Sequence, residues 1–254
     1  GNLAKSGSNA TIDLNRNVFG SQARNGAEGI IVGNYGDIVG SLHFGQGDDT
    51  LEMFSGSKIY GDIAADGANN FLGLRGEGTD SFDGQISGFQ YLTKADTGTW
   101  EITGKIGSFK QVDVDNGKLI LTADNSDYNG IMLINAAYDN ESKTYVKKDK
   151  DQKVKTDAIV EAHSSSLPKN EALDSPEKIN IYNNGTLVFN QNKIVDDNEY
   201  TGIIIGEGKV EKKGSEILTL TGDSTYTGGT IISDGDLQLG NGVDSGSVTG
   251  NIEI

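Results

Sequence analysis

A chain of 254 residues with 36 glycines, 2 prolines, no cysteine and a formal charge of −16 excludes several classes of protein at the outset. Its acidity opposes nonspecific binding to phosphate backbones or anionic membranes, and the absence of thiols rules out disulfides and thiolate metal centres. Glycine at about twice its usual share, with no Gly-X-Y period and almost no proline, points to many tight turns between short strands rather than to collagen or disorder. The hydrophobic fraction of 35% is low for a compact core. It suits a solenoid, whose narrow interior needs few inward side chains per coil. No apolar run approaches the ~20 residues of a membrane span. The chain opens GNLAKSGSNA without methionine or a signal peptide, so a processed chain or an excised fragment is expected.

Taken in chain order, the first strands are short and alternating. His43 lies in SLHFGQG and is expected to face outward beside a strand. Gly47-Asp48-Asp49-Thr50-Leu51 matches the centre of the GGxGxDxU calcium turn, with Phe44 where the first glycine should stand. Gly67 to Phe71 and Gly78 to Phe82 are degraded echoes, at offsets of 20 and 11 rather than nine. Calcium needs six to eight oxygens from aligned turns, so glycine-aspartate corners are the simpler reading. A structural calcium near Asp48 and Asp49 stays open. Leu51 precedes Phe71 by 20 residues, and Trp100 and Ile102 precede Leu119 and Leu121 by 19. A period of roughly 20 residues carrying two or three strands is one coil of a parallel β-helix.

Three segments then share one plan: GKLILTADNSDYNGIMLI from Gly117, GTLVFNQNKIVDDNEYTGIII from Gly185, and EILTLTGDSTYTGGTII from Glu216. Each has an alternating strand (Leu119 and Leu121; Leu187 and Phe189; Leu218 and Leu220), a polar turn, and a tyrosine (Tyr128, Tyr200, Tyr226). A glycine follows two residues later (Gly130, Gly202, Gly228), then a β-branched run. Alternation puts one set of side chains inside, and the glycine is expected to supply a positive φ at the corner. GDLQL follows as a further strand, and Leu237 and Leu239 should join the same core.

Residues 137–178 break the pattern. They hold both prolines, Pro168 and Pro176, and six lysines between Lys143 and Lys155. The expected organisation is therefore β-helix coils over 1–136, one charged inserted loop over 137–178 with a short helix at Asp157 to His163, and further coils over 179–254. Long loops on rigid scaffolds often carry recognition, which makes Lys147, Lys148, Lys150 and Lys153 the candidate binding residues.

Catalytic patterns are thin. VDSGSV at Val243 to Val248 resembles a serine-nucleophile context, but Val243 replaces the leading glycine, and Ser245 is read as part of a turn. His43 and His163 show no metal-ligand spacing. GEGKVEKKG at Gly206 to Gly214 lacks the Lys-Ser or Lys-Thr of a phosphate loop. Nothing singles out a glycosidase pair from the 37 acidic residues. No catalysis and no cofactor are expected.

GTLVFN, YTGIIIGEGKVEKKGSEILTLTG, STYTGGTIISDGDLQLGNG and GSVTGNI, between Gly185 and Ile252, resemble the autotransporter-associated β-strand repeat of bacterial type V autotransporter passengers. GDDTLEM, ISGFQYLTKADTGTWEITG and GKLILTADNSDYNG fit it more loosely. The resemblance implies a right-handed parallel β-helix, secreted or held at the bacterial surface through an outer-membrane barrel outside this chain, and not itself inserted in a membrane. The repeat marks a scaffold and says little about activity; the leading expectation is attachment to a host cell surface protein or receptor, and the charge of −16 argues against a nucleic acid partner. Alternatives are a released passenger acting as a soluble ligand of a host receptor, a stalk for a protease domain, or a carbohydrate-active β-helix. Further coils are expected beyond Ile254, and an uncovered final strand invites self-association.

Overall fold

The structure is a computed structural model that describes residues 11–13, 29–148, 157–169, 179–192 and 198–254. Short strands with inward apolar residues cannot bury one face alone, so they stack. The result is a parallel β-solenoid of about ten coils. One eight-stranded sheet runs from Ile31–Asn34 through Thr50–Phe54, Phe71–Arg75, Tyr91–Lys94, Gln111–Val114, Ile131–Ile134 and Ile181–Asn183 to Ile204–Ile205. A second runs from Thr79–Phe82 through Thr99–Ile102, Gly117–Leu121, Ala158–Ala162, Thr186–Asn190, Lys209–Lys213 and Thr230–Ile232 to Ile252–Glu253. The third side carries Thr11–Asp13, Ser41–Phe44, Ile63–Ala65 and Ile86–Ser87 early in the stack, and Glu199–Tyr200, Leu218–Leu220 and Leu237–Leu239 late in it.

The register follows the apolar rows. Trp100 pairs with Leu119 and Ile102 with Leu121, as the 19-residue spacing requires. In the other sheet Leu51 pairs with Leu72, not Phe71, which turns outward beside it. Leu119, Leu121, Leu187, Phe189, Leu218 and Leu220 are buried in one continuous cluster reaching from Ile38 to Tyr226. Leu237 packs against that cluster, but Leu239 is 41% exposed, on a strand with a neighbour on one side only.

The three tyrosines fill the corners, all fully buried. Their hydroxyls are all bonded, Tyr128 across the turn to the Ile131 carbonyl at 3.1 Å, Tyr226 across the turn to the Thr230 hydroxyl at 2.6 Å, and Tyr200 to the carbonyl of Pro168, 32 residues earlier, at 2.8 Å. Gly130, Gly202 and Gly228 do not have positive φ. The expectation was right about the residue and wrong about its reason. A Cβ at Gly130 would lie 2.4 Å from the Tyr128 ring, and one at Gly202 2.4 Å from the Tyr200 hydroxyl. At these two corners glycine lets the ring two residues earlier lie against the backbone, whereas a Cβ at Gly228 would meet the Gly208 carbonyl oxygen of the preceding coil at 2.4 Å.

Two lysines occupy inward positions. Lys94 alternates with Leu92 and Lys212 with Val210, and both are fully buried. Lys94 Nζ donates to the carbonyls of Ala95 (2.6 Å), Asp96 (3.0 Å) and Asn116 (3.0 Å). Lys212 Nζ donates to those of Lys213 (3.2 Å), Gly214 (2.6 Å) and Asp234 (2.8 Å). An ammonium has three N–H donors, and each here finds three acceptors, one of them on the next coil. Burial presses the Lys94 pKa down to about 8, while the nearby Asp96 carboxylate pulls it up. In both cases the next coil brings a glycine to the amine. A Cβ at Gly117 would stand 2.8 Å from Lys94 Nζ, and one at Gly235 2.7 Å from Lys212 Nζ.

Residues 137–178 are not a single loop. After Ile131–Ile134 the chain leaves the stack as an antiparallel hairpin, Ala136–Asp139 against Thr144–Lys147. It returns as Ala158–Ala162, which sits between Gly117–Leu121 and Thr186–Asn190 in the second sheet. The expected short helix at Asp157 to His163 is thus a strand. Ala158, Val160 and Ala162 are buried while Ile159 and Glu161 face out, and this period of two outweighs the helical composition. Ser164–Ser166 then forms a 3₁₀ turn capped by His163, leading to Pro168; Pro176 lies outside the described residues.

Candidate functional site

The outer face of the first sheet carries the most unusual surface. Its outward rows run across the coils: Thr50, Phe71, Tyr91 and Gln111 in one, Gly33, Glu52, Gly73, Thr93 and Asp113 in the next. Phe71 is 43% exposed and stacks on Tyr91 at 4.7 Å between ring centroids. Tyr35, 74% exposed, stacks on Phe54 at 4.1 Å. Between these pairs Arg75 grips Glu52 through Nε at 2.6 Å and Nη2 at 3.2 Å.

Two glycines make room on this surface. A Cβ at Gly73 would lie 2.1 Å from Glu52 Oε2, and one at Gly33 3.0 Å from the Tyr35 ring. Without side chains at these two positions, the Glu52 carboxylate can pack over Gly73 and the Tyr35 ring against Gly33. The product is a shelf of two aromatic stacks with a planar ion pair between them.

The hairpin walls the shelf at one end. It docks on a second apolar cluster of Ile131, Leu133, Ala136, Ile179 and Tyr182, outside the main core, with Tyr145 packed against it. The Tyr145 ring lies 4.0 Å from that of Tyr182 and 5.2 Å from that of Tyr138. Of the four lysines expected to bind, Lys147 belongs to the hairpin ladder opposite Ala136. Lys148 ties the hairpin to the sheet through Asp115 at 2.6 Å and through its backbone N–H to the Asn135 carbonyl at 3.0 Å. Lys150 and Lys153 lie outside the described residues.

Asp113 lies where shelf and hairpin meet. Burial raises its pKa to about 6, with Asp115 adding to the effect, while Gln111 Nε2 at 3.1 and 3.0 Å from its two oxygens and the Lys148 charge oppose it. A carboxyl whose folded pKa exceeds its ordinary 3.8 holds its proton more tightly when folded. Its contribution to stability is therefore full below pH ~4 and is lost as the pH rises through about 6. Asp113→Asn should gain about 1–2 kcal/mol over the native protein at pH 7, allowing for solvent screening, and nothing at pH 4. Urea unfolding of both proteins between pH 4 and 7.5 measures that difference. A constant offset would mean that Asp113 does not titrate in this window.

The remaining candidates resolve into structure. Asp49 is buried and accepts from the Ile30 N–H at 2.9 Å, Asn70 from the Asp49 N–H at 2.8 Å, and Gln90 from the Asn70 N–H at 2.7 Å. Successive coils thus use the position of the calcium-turn aspartate as a hydrogen-bond ladder. Asp48 is exposed and bonds to Asn69. Among the described residues no three His, Asp or Glu side chains come together where they could hold a metal ion. His43 Nε2 bonds Asp66 at 3.0 Å, and His163 Nδ1 lies 2.9 Å from the Ser165 hydroxyl. Ser245 is exposed beside a turn in which Asn241 accepts from the Val243 and Asp244 N–H groups.

The aromatic shelf was missed by sequence reasoning, although a signal for it exists. Phe71 and Tyr91 stand at outward parity one coil apart, and so do Gly33, Glu52 and Gly73.

No helix is long and apolar enough to cross a membrane among the described residues. The family model of the passenger-associated-transport-repeat matches residues 210–239. That stretch holds Lys212 with its acceptors and Tyr226 with its corner, so the matched repeat contains both devices that fix successive coils. No curated protein and no solved structure matches the chain.

Proposed function

We propose that this chain, an autotransporter passenger by its repeat and its solenoid and hence secreted or held on the cell surface, acts by binding a molecule of a host cell surface, without catalysis. The observation that carries this reading is the aromatic shelf. Large aromatic side chains on a rigid sheet, beside a docked hairpin, are the kind of residue that dominates binding energy where they are left uncovered. The lysines of the hairpin are not the contact surface in this reading; Lys148 holds the wall in place.

Labelled passenger applied to cultured host epithelial cells should bind, and Phe71→Ala/Tyr91→Ala should weaken that binding about tenfold, a loss of ~1.4 kcal/mol. Tyr60→Ala is the control, since Tyr60 is 60% exposed but stands outside the first sheet. Native passenger that fails to bind, or a double variant that binds undiminished, would refute the reading.

A further inference from the structure

We propose that the hairpin of residues 136–147 is a flap whose seating on the first sheet is set by the protonation of Asp113, closed in acid and loosened towards neutrality. Such a device works whatever the shelf binds. A two-stranded hairpin is marginal by itself, and among the described residues these two strands pair only with each other. The chain leaves the stack at Asn135, whose φ of 49° lies in the left-handed region that asparagine tolerates. A residue at the end of an element is where a hinge can turn. The flap can therefore open without unfolding the coils beneath it.

Two anchors seat the flap. One is the floor of Ile131, Leu133, Ala136, Ile179 and Tyr182, with the Tyr145 ring packed on it; the other is the Lys148–Asp115 ion pair at 2.6 Å. Asp113 stands between them. It pairs in register with Leu133, which pairs with Tyr182, and it precedes Asp115 by two residues. A carboxylate in that place is a charge beside an apolar seat, and burial disfavours its charged form. The groups that face it are Asp115 from its own strand, Tyr145 and Lys148 from the hairpin, and Tyr128 from the interior. Its register partners on the two neighbouring strands, Thr93 and Leu133, carry no charge. Burial, with Asp115 adding to it, outweighs the Gln111 bond and the Lys148 charge and holds the Asp113 pKa at about 6.

Opening the flap returns this carboxyl to water, where its pKa falls back towards the ordinary 3.8. The closed state thus holds the proton more tightly, and protonation favours closure. That support is full below pH ~4 and is lost as the pH rises through about 6. Asp113 is half-buried, so with solvent screening the ratio of closed to open should fall about tenfold between acid and neutral pH. Opening uncovers Ile131, Leu133, Ile179 and Tyr182. Ile131 follows Gln111 in the row of Phe71 and Tyr91, so the apolar stretch of the first sheet grows when the flap is open.

The test follows amide hydrogen exchange of the whole chain by mass spectrometry between pH ~4 and ~7.5, each rate being divided by the intrinsic rate at that pH. Protection over residues 136–148 should fall about tenfold from acid to neutral pH, while that of Gly117–Leu121 and Thr186–Asn190 in the second sheet stays constant. Asp113→Asn removes the titrating group and keeps its shape, so the variant should fold, and its flap should be as protected at neutral pH as in acid. Tyr145→Ala takes away a seat contact and should lower protection of the flap across the whole range, with the coils unaffected. Protection of the native flap that does not change with pH overturns the proposal. So does a fall that persists in Asp113→Asn, a fall shared equally by the coils, or a flap in Tyr145→Ala as protected as the native one.

Discussion

Replacing Lys94 by methionine should lower stability by about 1–3 kcal/mol, the scale of leaving a buried acceptor without its donor. Methionine has a similar length and fills much of the same space, so packing is largely kept and the donors are lost. The carbonyls of Ala95, Asp96 and Asn116 now share one ammonium. The Ala95 carbonyl would be left buried without it, and an orphaned acceptor costs about 1–3 kcal/mol. Asp96 is exposed and Asn116 half-buried, so water can reach their carbonyls. The Asn116 carbonyl belongs to the next coil, so the damage falls on the interface between coils. In a solenoid stability is a sum over coils and nearest-neighbour interfaces. The loss should therefore appear as a separate early transition, with hydrogen exchange accelerated first over residues 91–121, rather than as a uniform shift of one cooperative melt. Lys212→Met should produce the same effect over residues 209–239, because its amine makes the equivalent set of bonds. A single sharp transition with an unchanged midpoint in both variants would show that water replaces the amine and that these lysines do not clamp the coils.

The two lysines also mark where sequence reasoning stops. Alternation finds Leu119, Leu121, Leu187 and Phe189 because burial and apolarity coincide there. The same alternation puts Lys94 after Leu92 and Lys212 after Val210, at inward parity, and a polar residue at such a position looks like a strand end. Its partners are backbone carbonyls, which every sequence has, so nothing in the residue types announces them. The glycines are the legible trace: Gly117 and Gly235 each stand 23 residues after their lysine.

Residues 137–178 fail for a different reason. The hairpin is fixed by Tyr145 meeting Tyr182, a contact between a protruding strand and the outer side of a later coil, and the strand Ala158–Ala162 is fixed by its neighbours Gly117–Leu121 and Thr186–Asn190. Charge and proline around that strand outvote its own alternation when it is read alone. The shelf was hidden because outward residues look like solvent-facing residues until the register places Phe71 over Tyr91.

The corner glycines give the second large effect. Gly130→Ala should destabilise the protein by about 1–3 kcal/mol, the usual cost of overpacking. The new Cβ would sit 2.4 Å from Tyr128 Cε2 and 2.6 Å from the Phe109 carbonyl. Neither neighbour has room to yield. Tyr128 is fully buried with its hydroxyl on the Ile131 carbonyl at 3.1 Å, and the Phe109 carbonyl belongs to the preceding coil. Gly202→Ala should behave alike, with Tyr200 Cζ 2.5 Å and the Pro168 carbonyl 2.9 Å from the added atom. The control is Gly107→Ala. Its φ is outside the left-handed region and the nearest atom is 3.8 Å away, so the added methyl meets open space and the cost should stay within about 0.5 kcal/mol. The reason for the glycine can be separated from its mere presence by a second substitution. If the ring is what forbids the Cβ, Tyr128→Leu should remove part of the penalty of Gly130→Ala, giving a coupling energy of about 0.5–2 kcal/mol in a double-mutant cycle read from urea unfolding. If the penalty instead came from a turn requiring positive φ, shortening the ring would leave it untouched and the two substitutions would simply add.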